Sequence, residues 1–365
     1  MGAGIKTCIY CSQPANSLEH PLPAAFGEFS GAPMLTETLC KACNNNRLGV
    51  LDEQLVRCGP EAFFRRLYGV QGRAGHDSVN PFYRGSAGGK RLEMKATDPN
   101  LGIDVLLEID KGVPRQARQI VFTEESGKTH HLPIREGTSP VQLKTAFDQL
   151  GVVQPCRDVR IFYGPEEKEW VLPLMQQTWP SVTFGDGDPS ATTYSGAVGT
   201  VGLTDRYFRA IAKIGFHYFL TQFSQYRGHE PIFAGIREFI ADGAGGVDAA
   251  NQFVGRRQTP LLGAMLTPGM GPAGWVAHVL SAEIKPGECL AYVQLFLSED
   301  WDAHIYAVRL ASAPAITELA SAGHFYAYEN DAMGKYAGEA SSLLTARTPF
   351  PPAPFKPVVV SPSFE

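Results

Sequence analysis

Charge is scarce in this sequence. Charged residues make up 19% of 365 and the formal net charge is −5, so no overall positive surplus marks a polyanion binder. Contact with a nucleic acid would have to come from a local patch. Long apolar runs are missing as well. No stretch of about 18 apolar residues occurs, so no membrane-spanning helix is expected. The opening MGAGIKT has neither the basic nor the apolar region of a leader, and it puts Lys6 where a myristoylation signal has Ser or Thr. A cytoplasmic protein without membrane contact is the expectation. There is no P-loop, no G-x-S-x-G, no H-E-x-x-H and no internal repeat.

What the chain does have is an unusual placement of cysteine. The seven are Cys8, Cys11, Cys40, Cys43, Cys58, Cys156 and Cys289. A secreted disulfide framework would spread them evenly through a small domain, and these are not spread. Four fall in two Cys-x-x-Cys pairs, CIYC and CKAC. A lone pair would suit a redox dithiol equally well. Two pairs this close suit one zinc ion, which takes four thiolates at tetrahedral vertices about 2.3 Å away. Such an ion replaces the apolar core that a short segment cannot build for itself. Loss of any one of the four thiols is therefore expected to unfold only the first 55 or so residues.

Between the pairs lies LEHPLPAAFG, and after them NNNRLGVLDEQL. The order Cys8/Cys11, Glu19-His20 with Pro21 and Pro23, then Cys40/Cys43 followed by Asn44, resembles the HNH endonucleases. These are the zinc-stabilised branch of the ββα-metal, or His-Me finger, nucleases. The likeness covers about residues 5 to 55. It implies an α+β protein with a small zinc-bound, treble-clef-like ββα module, and a divalent Mg²⁺ or Mn²⁺ ion held by Glu19 and Asn44. It also implies His20 as general base and hydrolysis of DNA, with RNA the weaker alternative. The residue types suit that chemistry: imidazole titrates near neutrality, and carboxylate and amide oxygens suit a hard dication.

Arg47, one turn into the expected helix, can reach a phosphate or simply be solvated. Asn45 and Asn46 are expected at the helix entry, with either able to take the metal role in a shifted register. Asp52 is expected to cap or pair locally. The family's middle asparagine has no counterpart in GAPMLTETLC, where Thr36 or Thr38 would have to stand in. The alternative reading is a zinc-stabilised module that binds nucleic acid or protein without catalysis.

The expected domains are 1–75 for this module, 76–190 for a strand-rich region, 191–345 for a helix pair plus strands, and 346–365 for a Pro-rich tail. Period-two runs GIDVLLEID, RQIVFT, THHLPI and DVRIFYG predict strands, and LKTAFDQLGV a helix. His130 and His131, adjacent on a strand, must face opposite ways and make poor joint ligands. The strongest helix starts at Thr204, with Phe208, Ile211, Gly215, Tyr218 and Phe219 as its apolar stripe and His217 beside it. PIFAGIREFIADG predicts a second helix ending at Gly243, and VAHVLSAEI, CLAYVQLFL and HIYAVRLA a hairpin-connected sheet. Arg65 and Arg66 are expected on a solvated helix face. The large remainder is assigned to substrate recognition, to assembly of a homo-oligomer, or to sensing, a layout common in bacterial anti-phage nucleases.

Overall fold

A computed structural model describes residues 6–71, 80–82, 92–110, 113–183, 198–200, 203–257, 276–298, 305–328 and 337–342. The Gly/Ser-rich 185–202 stretch lies almost wholly outside these residues, and the Pro-rich 346–365 tail entirely so. The fold is α+β in two compact units. One comprises Met1–Pro81, Gly85–Lys90 and Gly202–Glu365; the other comprises Phe82–Arg84 and Arg91–Val201.

In the first unit, β1 (Ser17–Glu19) pairs antiparallel with β3 (Leu35–Leu39), and β2 (Glu28–Ser30) lies in the connection between them. The chain then turns through Cys40 into a helical run. Cys43–Leu48 is wound as a π-helix and continues as α1 (Gly49–Cys58), followed by α2 (Pro60–Leu67).

The second unit contains β4 (Glu93–Asp98), β5 (Ile103–Asp110), β6 (Val113–Gln116), β7 (Gln119–Glu124), β8 (Thr129–Pro133), α3 (Pro140–Gln149), β9 (Cys156–Phe162), α4 (Lys168–Thr178) and β10 (Val198–Thr200). Its sheets run β10-β4-β5-β6 and β8-β7-β9. Ile120 and Phe122 on β7 pack with Leu143 of α3 and Val171 and Met175 of α4. α3 starts at a capping box: Ser139 Oγ accepts from the Gln142 N–H, and Gln142 Oε1 accepts from the Ser139 N–H. His130 and His131 do part ways. His130 Nε2 lies 2.7 Å from Glu124 Oε1 and His131 Nδ1 3.1 Å from Gln119 Oε1, both buried.

Back in the first unit come α5 (Asp205–Gln222), α6 (Ala234–Asp242), α7 (Gly246–Phe253), β11 (Val254–Arg257), β12 (Val276–Lys285), β13 (Glu288–Ser298), β14 (Ile305–Ser312), β15 (Ala320–Tyr328) and β16 (Ala337–Ser342). The strands form one sheet in the order β11-β14-β13-β12-β15-β16-β2. Its last member, the N-terminal β2, pairs parallel with β16. α6 stops where expected, at Gly243 with φ +71°.

Three expectations change here. α5 is not amphipathic: from Tyr207 to Leu220 every residue but Arg209 is buried, Lys213 and His217 included. At Gly215 a Cβ would come within 3.1 Å of Ala291 and Val308, so the helix rests directly on β13 and β14. The segments expected as separate domains 1–75 and 191–345 also share one core. Cys8, Leu22, Phe26, Leu39 and Leu51 belong to the same apolar cluster as Phe208, Phe216, Val293 and Tyr326. Tyr328 Oη donates to the Phe26 carbonyl, tying the sheet to the connection between β1 and β3. Arg65, expected in solvent, is buried and donates to the Val56 carbonyl. No helix of the described residues is long and apolar enough to cross a membrane.

Candidate functional site

The ligand atoms of Cys8, Cys11, Cys40 and Cys43 all lie within 4.8 Å of one another. Cys11 Sγ is 3.6 Å from both Cys40 Sγ and Cys43 Sγ. Sulfurs at the vertices of a zinc tetrahedron are separated by about 3.8 Å, so the donor set fits that ion. The local backbone builds the cluster. Cys11 N donates to the Cys8 carbonyl, closing one turn, and Cys43 N donates to Cys40 Sγ, closing the other. Ile9 N, inside the first turn, donates to the Thr38 carbonyl and fixes it to β3. Burial pushes the Cys8 and Cys43 thiols up. Burial also works against ionising Cys40, but the Cys43 N–H and the neighbouring thiols bring it down to about 7. Four crowded sulfurs resist joint ionisation unless a dication offsets their repulsion.

The residues of the HNH likeness divide into three sets. Asn44 opens the helix and reaches back to β1: its Nδ2 donates to Ser17 Oγ at 2.8 Å and to the Leu18 carbonyl at 3.0 Å. A carbonyl only accepts, so the amide orientation is fixed and Oδ1 is the atom left for another partner. A bulge makes this reach possible. The β1/β3 register slips between Ser17 and Leu18, opposite Glu37, whose φ is +53°. His20, half-buried just past the end of β1, makes no hydrogen bond with the described residues. It lines a small cleft with Pro21, Phe29, Pro33 and Tyr326. The Thr38 hydroxyl donates to the Thr36 carbonyl of its own strand.

Glu19 turns inward. Its Oε1 lies 2.7 Å from Lys213 Nζ and 3.3 Å from His217 Nδ1. Burial opposes ionisation of Glu19, but the Lys213 ammonium and His217 bring it down to about 2. Both contacts fall on one oxygen, leaving Oε2 as the atom an ion could use. Lys213 is wholly buried and also meets Asp52, at 2.8 Å from Oδ1 and 2.7 Å from Oδ2. Asp52 thus does pair, but with a partner on α5 rather than locally. Burial holds the His217 imidazole below its ordinary value. Its Nδ1–H donates to the carboxylate, and its Nε2 accepts from the Tyr10 hydroxyl at 3.0 Å.

Arg47 is half-exposed at the surface, where it ion-pairs with the exposed Asp242 and donates to the Ala241 and Tyr10 carbonyls. Asn45 and Asn46 are exposed at the helix entry.

No family model, curated protein or solved structure matches the chain.

Sequence reasoning missed Lys213, Tyr10 and Tyr326. For Lys213 a signal was present: a lysine and a histidine four apart, on one face of a helix otherwise apolar there, are a polar pair that burial forces to find partners. Tyr326 lines the cleft beside His20, and its buried hydroxyl has no partner among the described residues. Nothing in the sequence marks it out from the chain's other tyrosines.

Proposed function

We propose that the hairpin and helix of residues 5–58 form a zinc-stabilised HNH-type module that hydrolyses DNA phosphodiester bonds. One observation carries the reading: Asn44 is hydrogen-bonded to β1, so the helix-opening amide and the strand bearing Glu19-His20 form one rigid piece beside the thiol cluster. The element order, two antiparallel strands followed by a helix, is the order a ββα-metal module has.

In this reading Glu19 and Asn44 would hold the divalent ion, Mg²⁺ or Mn²⁺. Bound there, the ion supplies Lewis-acid withdrawal of charge from the scissile phosphate. His20, which makes no hydrogen bond with the described residues, takes the proton of the attacking water at an imidazole nitrogen. Asn44 and the thiol turns keep that ring and the two oxygens in register. The expected products carry 5′-phosphate and 3′-hydroxyl ends, as the resemblance implies.

The test is cleavage of supercoiled plasmid with Mg²⁺ or Mn²⁺. His20→Ala should lower the rate about 10²- to 10⁴-fold, the usual contribution of a positioned base, while zinc content stays at one per chain. Equal rates for the two proteins would remove His20 from the chemistry. A second reading, a binding module without catalysis, is favoured by one specific observation: Glu19 Oε1 is taken up by the buried Lys213. It predicts retention of DNA without cleavage under any divalent ion.

A further inference from the structure

We propose that Lys213, which holds Glu19 by one oxygen, sets together with Asp52 the charge that a divalent ion meets at this same site. The proposal rests on the nuclease reading. It makes α5, far along the chain, a working part of the N-terminal module.

Three observations support it. First, a lysine with no exposed surface sits in a helix whose surroundings are otherwise apolar. Burying an ammonium costs several kcal/mol before pairing, and an apolar residue of similar volume often serves stability as well or better. Stability alone does not call for lysine at this position. Second, its Nζ meets carboxylates from two different elements, Glu19 beside His20 and Asp52 on α1. Third, His217, one helical turn on, donates to the same Glu19 oxygen. Two donors on α5 converge on Oε1, which fixes the rotation of the carboxylate and the direction of Oε2.

The charges then make a definite prediction. Two carboxylates and one ammonium leave the cluster at −1, a bias toward a cation. Lys213→Met leaves −2, and Asp52→Asn leaves zero. Coulomb interaction with a dication therefore shifts in opposite directions in the two variants. A scaffold role alone would weaken ion binding in both.

The experiment is calorimetric titration of Mn²⁺ into the zinc-loaded full-length chain, at fixed pH and ionic strength, with Glu19→Gln as the reference. Lys213→Met should bind Mn²⁺ about tenfold or more tighter than wild type, and Asp52→Asn about tenfold or more weaker. The Asp52 side chain is 27% exposed, so Asp52→Asn keeps the test valid even if Lys213→Met does not fold. Folded Asp52→Asn with wild-type Mn²⁺ affinity overturns the proposal, as does weaker binding by folded Lys213→Met. If wild type cleaves DNA through His20 while either result holds, the proposal fails and the nuclease reading stands. If wild type takes up no Mn²⁺ beyond its zinc site, both fall, and Glu19–Lys213 is an ion pair of the core.

Discussion

The two units are held together by contacts of different reach. In the unit formed by the chain's two ends, the polar links join residues far apart in sequence: Glu19 and Asp52 to Lys213, Phe26 to Tyr328, Arg47 to Asp242. In the intervening unit several join near neighbours, Glu124 to His130, Gln119 to His131 and Ser139 to Gln142, beside longer links such as Arg118 to Glu167. Short-range links form whenever their own hairpin or helix forms. Long-range links require the rest of the unit to be in place. The N-terminal module is therefore built on the C-terminal helix and sheet, and its parts stand or fall with them.

The sharpest way to break this comparison is to empty the four-thiol site of the ion it can hold. Chelation or Cys40→Ser should abolish the whole calorimetric transition of the first unit and leave that of the second. Structural zinc contributes about 10–16 kcal/mol in zinc-finger peptides, comparable to the entire stability of a domain. Loss of only a small fraction of the first unit's unfolding heat would instead restore the expectation that the first 55 residues melt alone.

A smaller effect concerns pH. Glu61 is buried, accepts a 2.7 Å hydrogen bond from Tyr207 and leaves Oε2 without a partner among the described residues. Burial raises it from 4.5 to about 7. The folded state thus holds this proton more tightly than the unfolded chain does. The contribution is complete below pH 4.5 and is lost as pH rises through 7, about 3 kcal/mol in all. Glu61→Gln should flatten that slope in urea titrations at pH 5 and pH 8. An unchanged slope would assign it to another group.

The smallest effect tests the local character of the second unit. Ser139→Ala removes one half of a capping box and should lower stability by about 1 kcal/mol. The shift should appear in the second unit's transition only. A shift in both would mean the two units unfold together.

Legibility in the sequence follows the same division. The strands at Ile103–Asp110, Gln119–Glu124, Thr129–Pro133 and Cys156–Phe162 and the helix at Pro140–Gln149 were readable from period and turn residues. Their partners lie close along the chain. The opposed directions of His130 and His131 followed from strand geometry alone. α5 was readable as a helix but not as a buried one, because its polar residues are partnered by side chains from β1 and α1 that no local window contains. The Arg47 pairing was not readable for the same reason: its partner Asp242 lies on another helix.

Composition and spacing alone determined that four cysteines form one cluster able to hold an ion and that His20 lies between the two pairs. Those facts are local, because a two-residue gap closes a turn whatever surrounds it. Only the tertiary structure decided that Glu19 faces a buried lysine, that Asn44 grips β1 and that the chain's two ends share a core. Each depends on groups brought together by apolar burial, which has no direction along the sequence and so leaves no pattern to read there.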